Sequence, residues 1–499
     1  MSNVMADMDS NLKPPSAAIT QSLWPLAFSA YLCFMLVSGG TSLPSDTVIY
    51  LQSALSLAVL VAALSQLAAR GLPSKLAVYA SWLAIFSAAL PLLQLIPLPP
   101  SVWSQLATHQ VALKNIALLG AVPSFMPLSL APEQTRLDAI ALLPALASFF
   151  GTLSIPLRRI PSAIWVILAC ALVSLVLALL QVAQGELSPF YLYGAEPGTG
   201  TGTFSNRNFF AAQAYIALVF IGALAAHLKQ KYRWHGGLVA LFAAGGMALL
   251  LVSLALAGSR SGIVLAMPAI VFALLLLYGG TAALNLKTSA VTLVAVIASL
   301  FVIGQSSMLG LLRLASGDPF SDARAGVARA SLSLLKNTLP LGSGFGSFVP
   351  LYQMIETPAM LQSQFINHVH NDWLELAIEG GAPALLLEAF FVIFMVFGII
   401  RVWRYGRGGT TAIFQRAASL ALPLLLLHAL VDFPLRTPAL LSLFAFCVAL
   451  LTLPPDVAPP MTKPNRTRTG SKTPPKPGHT PATPAPFRRP DAPFGPKSR

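Results

Sequence analysis

The sequence predicts an all-α fold: a polytopic transmembrane helical bundle of about 12 spans, with a long loop on one side that contains short helices. Three observations predict it. Hydrophobic residues make up 56% of the 499 residues and charged residues only 10%, where a soluble domain carries about 25%. Apolar runs of about 20 residues, the length that crosses a hydrocarbon core, recur along the chain. Lys and Arg concentrate in alternate loops, as the positive-inside rule requires. Several soluble domains, which length alone would suggest, are excluded by too little charge to coat a water-facing surface.

The expected spans are 22–39, 47–69, 76–97, 137–155, 161–184, 209–228, 236–257, 262–279, 288–306, 381–401, 412–432 and 437–453. Gly and Pro inside these runs are compatible with spanning, because neighbouring helices satisfy the backbone. The first run has no clear cleavage site after it and reads as a retained helix preceded by a segment at 1–21. An even number of spans puts both termini on one side. The loops on that side and the tail hold 22 basic residues against nine on the other, which places both termini in the cytoplasm. The outer side then carries segments at about 98–136 and 185–208, short turns at 258–262 and 432–437, and a long segment at 307–380. Short helices are expected there at 324–337 and 371–379. No internal repeat and no soluble catalytic domain is evident.

The net charge of +14 invites a nucleic-acid reading, but its distribution argues against one. Half of the excess lies in 454–499, which has nine Lys/Arg, two Asp/Glu and 14 of the 40 prolines. This segment has too little apolar content to fold and reads as a disordered basic tail near anionic lipid. Cys33, Cys170 and Cys447 lie inside apolar runs, without disulfide-framework or zinc spacing, and read as small apolar residues.

Five polar clusters interrupt the apolar pattern, all on the outer side. Gly198–Asn208 precedes a helix; its glycines would let backbone N–H groups approach an anion beside Arg207 and Asn206, or simply make a flexible turn. Ser259-Arg260-Ser261-Gly262 sits between two spans, where Arg260 either snorkels to headgroups or grips phosphate through its planar fork of donors. Arg324 and Arg329 lie on an expected helix ahead of Gly342, Gly344 and Gly346. Asn367–Glu375 holds His368 and His370, two residues apart; histidine takes a proton near neutral pH, and no third ligand has metal spacing. There Asn371 precedes Asp372 and Glu375, which two readings treat as helix caps or site groups. His428–Arg436 closes the set, with Asp432 and Arg436 expected to form an ion pair joining two helix ends.

In order and spacing, Gly202–Asn208, Ser259–Gly262, Gly342–Gly346, His368–Asp372 and Asp432–Arg436 together resemble the O-antigen ligase and O-antigen polymerase superfamily of bacteria. Pro127–Pro132 adds to the likeness, which covers roughly 125–445. The resemblance implies an inner-membrane glycosyltransferase with its site in a periplasmic loop. Its donor would be a glycan on undecaprenyl diphosphate, its acceptor the lipid A core or another lipid-linked repeat unit. It implies no metal and no other cofactor. The family's diphosphate-binding arginines map onto Arg260 and Arg324, with Arg207 nearby, and its loop histidine onto His370.

The chemistry suits the residues. Breaking a glycosyl–diphosphate bond leaves an anionic lipid diphosphate, which cationic side chains stabilise. His370 is the natural general base for the acceptor hydroxyl, a role that contributes about 10²–10⁴-fold. Direct displacement with inversion is expected; a covalent intermediate would need a carboxylate nucleophile, for which Glu375 is the one candidate. The rival reading is a transporter or flippase of lipid-linked glycans. Helix centres nearly free of charge and unlike halves argue against it.

Overall fold

The structure is a computed structural model that describes residues 15–43, 45–118, 120, 124–194, 198–279, 319–358, 365–406 and 408–454; for 15–22, 46, 111, 279 and 319–325 only the backbone is described. The chain divides into two units, Met1–Asp456 and Val457–Arg499, the second lying outside the described residues.

The first unit is a helical bundle. Its helices are α1 (Pro15–Ser38), α2 (Asp46–Arg70), α3 (Lys75–Leu93), α4 (Ala107–Leu118), α5 (Pro132–Ala141), α6 (Leu143–Ser154), α7 (Ile160–Gln184), α8 (Arg207–Tyr232), α9 (Gly236–Ala257), α10 (Arg260–Gly279), α11 (Pro319–Thr338), α12 (Phe348–Ile355), α13 (Asp372–Tyr405), α14 (Thr410–His428) and α15 (Pro438–Thr452). Among the described residues the strands are one antiparallel pair, β1 (Pro97–Leu98) with β2 (Met126–Pro127). Among the described residues nine helical stretches are long and apolar enough to cross a membrane, and Leu23–Ser38 and Pro438–Thr452 are shorter apolar helices. The chain is therefore a multi-pass helical membrane protein. The expected span at 288–306 lies outside the described residues.

Side-chain placement follows the bilayer. At the periphery α2 turns Leu51, Leu55 and Val61 outward, α3 turns Trp82, Ile85 and Phe86 outward, and α7 turns Leu172, Val176 and Leu179 outward. Hydrocarbon is as apolar as these residues, so no hydrophobic force draws them inside. At the centre α8 is buried from Asn208 to Leu228, packed on α9, α10 and α14. The α15 helix is buried against α6, α14 and α1 at all but Leu441 and Phe444. Close packing and interhelical hydrogen bonds hold such helices together.

Two departures from the expected spans shape the end of the bundle where the polar clusters lie. The fourth span starts earlier and breaks at Leu142 into α5 and α6. The tenth is longer: the short helix expected at 371–379 runs into its span across a kink at Gly381, where φ is 62°. The Gly342–Gly346 loop packs into that kink. A Cβ on Gly342 would collide with the Glu379 carbonyl, so only glycine fits there. Gln94 fastens the same corner, its amide donating to the Glu379 carbonyl at 2.8 Å and accepting from Phe345 N–H at 3.0 Å.

Candidate active site

One end of the bundle gathers the polar clusters, beginning with caps that start the helices at the right residues. Asn206 caps α8, its side chain accepting from Asn208 N–H at 2.7 Å. Asn371 caps α13 by accepting from Leu374 N–H at 3.1 Å. Asx side chains at such positions satisfy backbone donors that have no helical partner. The cap of α13 is thus Asn371, and Asp372 and Glu375 are left for other work.

His370 sits just before that cap. Its φ of 58° places a non-glycine residue in the left-handed region, at a cost of about 1–3 kcal/mol when the surroundings impose it. Its Nδ1 lies 3.2 Å from Asp432 Oδ1, and its ring packs on Phe433 with centroids 4.9 Å apart. An ionised carboxylate only accepts, so Nδ1 donates and Nε2 is left as the basic nitrogen. The imidazole is 18% exposed and Asp432 1%, a reachable base on a buried carboxylate. Asp432 also accepts from Asn208 Nδ2, and Asn208 Oδ1 accepts from Ser259 Oγ at 2.7 Å. In this way the starts of α8 and α10 and the corners before α13 and after α14 meet at one point. Arg207 immediately precedes Asn208, and Arg260 immediately follows Ser259. Arg207 is partly exposed and Arg260 exposed. The Arg324 side chain lies outside the described residues; its helix, α11, packs Val327 into the same cluster as Val369.

His368 has a different carboxylate. Its Nδ1 lies 2.7 Å from Glu375 Oε1, and its ring packs on the same Phe433, 4.4 Å between centroids. Glu375 also accepts from Val369 N–H at 2.8 Å and faces Arg436 at 3.3 Å. Arg436 reaches Glu379 at 3.1 Å and Asp372 at 3.5 Å as well. Burial opposes the Arg436 charge, but Glu375, Glu379, Asp372 and Asp138 outweigh it and hold its pKa well above the ordinary arginine value. The Asp432–Arg436 ion pair expected from the sequence is therefore replaced. Arg436 is taken by three carboxylates of α13, and Asp432 serves His370. The reason is helical spacing: Asp372, Glu375 and Glu379 fall at i, i+3 and i+7 on one face of α13.

A cavity of about 720 Å³ opens beside this cluster. Leu83, Leu90, Leu387, Phe391 and Phe444 give it an apolar wall, and Asp138, His368, Glu379, Glu388 and Arg436 line its polar part. Glu388 is an exception to the expectation of nearly uncharged helix centres. His368 lines this cavity and His370 does not.

The Gly198–Asn208 loop differs from both sequence readings. It is neither a free turn nor an open nest of donors. Gln181, buried on α7, accepts from Thr201 N–H at 2.8 Å and Gly202 N–H at 2.9 Å, and Gly200 N–H donates to Leu256 O at 2.9 Å. Gly202 is needed because a Cβ would lie 2.7 Å from the Ser174 carbonyl oxygen. The glycines bring the loop against α7, and the loop in turn positions Asn206, Arg207 and Asn208. Sequence reasoning passed over Gln181 and Glu379, and it placed Asn208 and Ser259 in polar clusters without seeing that they join. Each is an uncharged or acidic polar residue within or beside an apolar run, a costly placement that signals a partner.

No curated protein matches the chain. Residues 245–389 match a family model described as O-Antigen ligase. The matched stretch carries Ser259–Gly262, Arg324 and His368–Glu375, while Gly202–Asn208 and Asp432–Arg436 lie outside it and are joined to it by the Asn208–Ser259 and Asp432–His370 contacts. Motifs, fold and match point the same way: over residues 245–389 the chain is similar to the O-antigen ligase family.

Proposed function

We propose that the protein is an inner-membrane glycosyltransferase that takes a glycan from undecaprenyl diphosphate at the periplasmic face and passes it to the lipid A core or to another lipid-linked repeat unit. The observation that carries this reading is the His370–Asp432 pair, 3.2 Å apart, at the point where the segments bearing Arg207 and Arg260 converge. His370 Nε2 accepts the proton of the acceptor hydroxyl. The hydroxyl oxygen attacks the anomeric carbon, and the bond from that carbon to the diphosphate oxygen breaks. The electron pair leaves on undecaprenyl diphosphate, where Arg260, Arg324 and Arg207 stabilise it. Glu375 has both oxygens occupied and is 1% exposed, which favours direct displacement over a carboxylate intermediate. The arginines serve as the cations, with no metal or other cofactor. Both termini are cytoplasmic in this reading, 307–380 is the periplasmic loop, and 454–499 is a cytoplasmic tail beside membrane lipid.

A second assignment of the base has one observation in its favour. His368 lines the cavity, and its Nε2 is buried without a hydrogen-bond partner among the described residues. Against it, Glu375 is already committed to Arg436.

Purified protein with undecaprenyl-diphosphate-linked repeat units tests the reading. A ladder formed without lipid A core identifies a polymerase, and product formed only with core identifies a ligase. Absence of product with either, together with movement of the lipid-linked glycan across vesicles, would replace the transferase by a flippase.

A further inference from the structure

The contacts behind Asp432 continue deeper than the reaction described above requires. Ser259 Oγ lies 3.3 Å from Ser261 Oγ, Ser261 Oγ lies 3.0 Å from His428 Nε2, and His428 Nδ1 lies 3.0 Å from the Tyr215 hydroxyl. His428 and Tyr215 are wholly buried among the helices. The row of contacts thus joins α14, α10 and α8 before it reaches the His370 corner.

Counting protons gives the row a direction. Asn208 Nδ2 donates to Asp432, so Asn208 Oδ1 must accept, and Ser259 spends its one proton there. The Ser259 oxygen can then only accept from Ser261, and the Ser261 oxygen can only accept from His428 Nε2–H. His428 Nδ1 in turn accepts from the Tyr215 hydroxyl. Every donor points towards Asp432. A reversed His428, protonated at Nδ1, would leave Ser261 to donate to the imidazole and Ser259 to lose that donor.

We propose that His428 is a positioning residue for the transfer reaction: as the neutral Nε2–H tautomer it starts a one-way hydrogen-bond chain through Ser261, Ser259 and Asn208 that holds Asp432 ionised and aimed at His370. Successive hydrogen bonds polarise one another in a low-dielectric interior, so the far end of the chain acts on the carboxylate. The same two serines flank Arg260, so the chain also fixes the turn that carries it. This inference rests on His370 being the base.

The test compares His428→Ala, His428→Gln, His428→Asn and Ser261→Ala in nanodiscs, with an undecaprenyl-diphosphate-linked oligosaccharide as donor. A glutamine amide reaches about as far as Nε2 and still donates to Ser261; an asparagine amide reaches only as far as Nδ1. The expected result is a kcat lowered roughly tenfold or more in the Ala, Asn and Ser261→Ala variants, part of the 10²–10⁴ of a general base, with the donor KM little changed and His428→Gln largely restored. Equal loss in the Gln and Asn variants, or full activity in His428→Ala, overturns the proposal. Nitrogen-15 NMR of histidine-labelled protein supplies a readout independent of turnover: the signal lost in His428→Gln is that of a neutral, Nε2-protonated ring, and an Nδ1-protonated or charged ring overturns the chain. Failure of the transferase reading looks different, because the wild type itself, or His370→Ala relative to it, would then show no dependence.

Discussion

His370 and His368 each present Nδ1 to a buried carboxylate and pack on the same phenylalanine, yet their surroundings divide them. Around His368 the carboxylate Glu375 is one of three clamped by Arg436, so its charge is spent inside an ion cluster that ties α13 to the Pro434–Arg436 turn. Around His370 the carboxylate Asp432 is approached by Asn208 and sits where α8 and α10 begin. The backbone differs too, since His370 alone of the two has positive φ. One geometry holds the corner together; the other holds an imidazole in a strained, partly exposed position beside two arginine-bearing turns. Sharing a motif does not give two histidines the same task.

Substitutions can break or sharpen this contrast. The largest effect is expected from His370→Ala, which removes the base and lowers turnover by about 10²–10⁴-fold while the protein still inserts; transfer assays on membranes with matched protein levels measure it. Wild-type transfer by this variant would move the base role to His368. Next comes Arg436→Gln, which leaves three buried carboxylates without their cation. Breaking one such pair costs about 3–5 kcal/mol, so the detergent-solubilised variant should unfold well below the wild type in a thermal size-exclusion assay. An unchanged melting temperature would show that the cluster is not structural.

A smaller effect is expected from Arg260→Lys, which keeps the charge but loses the bidentate fork; a loss of roughly tenfold in kcat/KM corresponds to about 1.4 kcal/mol of transition-state binding. Full activity would return Arg260 to a headgroup-snorkelling role. The smallest change in turnover is expected from His368→Asn, whose amide can still meet Glu375. Its effect should appear as about 1 kcal/mol of stability, the worth of one hydrogen bond, with transfer remaining near the wild-type rate. A collapse of turnover there, comparable to that of His370→Ala, would make the two pairs equal partners and remove the distinction drawn above.

Much of the bundle was legible in advance because the bilayer acts on composition directly. Apolar runs near 20 residues gave spans that match α2, α3, α7, α8, α9, α10, α14 and α15 within a few residues. The misjudged boundaries have local causes. Asp372, Glu375 and Glu379 are too polar to count as span, yet they continue α13 because Arg436 compensates them from a distant turn. Glycine-rich stretches were harder to read, since the sequence shows freedom of the backbone but not what uses it. In Gly198–Asn208 the user is Gln181 on a different helix.

By itself the sequence determined that this chain lives in a membrane, roughly where it crosses, and which polar clusters the apolar pattern cannot absorb. Local composition and spacing suffice for that, because desolvation penalises each polar group wherever it stands. Only the tertiary structure decided who partners whom. Asp432 and Arg436, four residues apart, were expected to pair with each other, and they instead serve His370 and the carboxylates of α13. Charge attracts across space and not along the chain, so the pairing waited on how the helices pack.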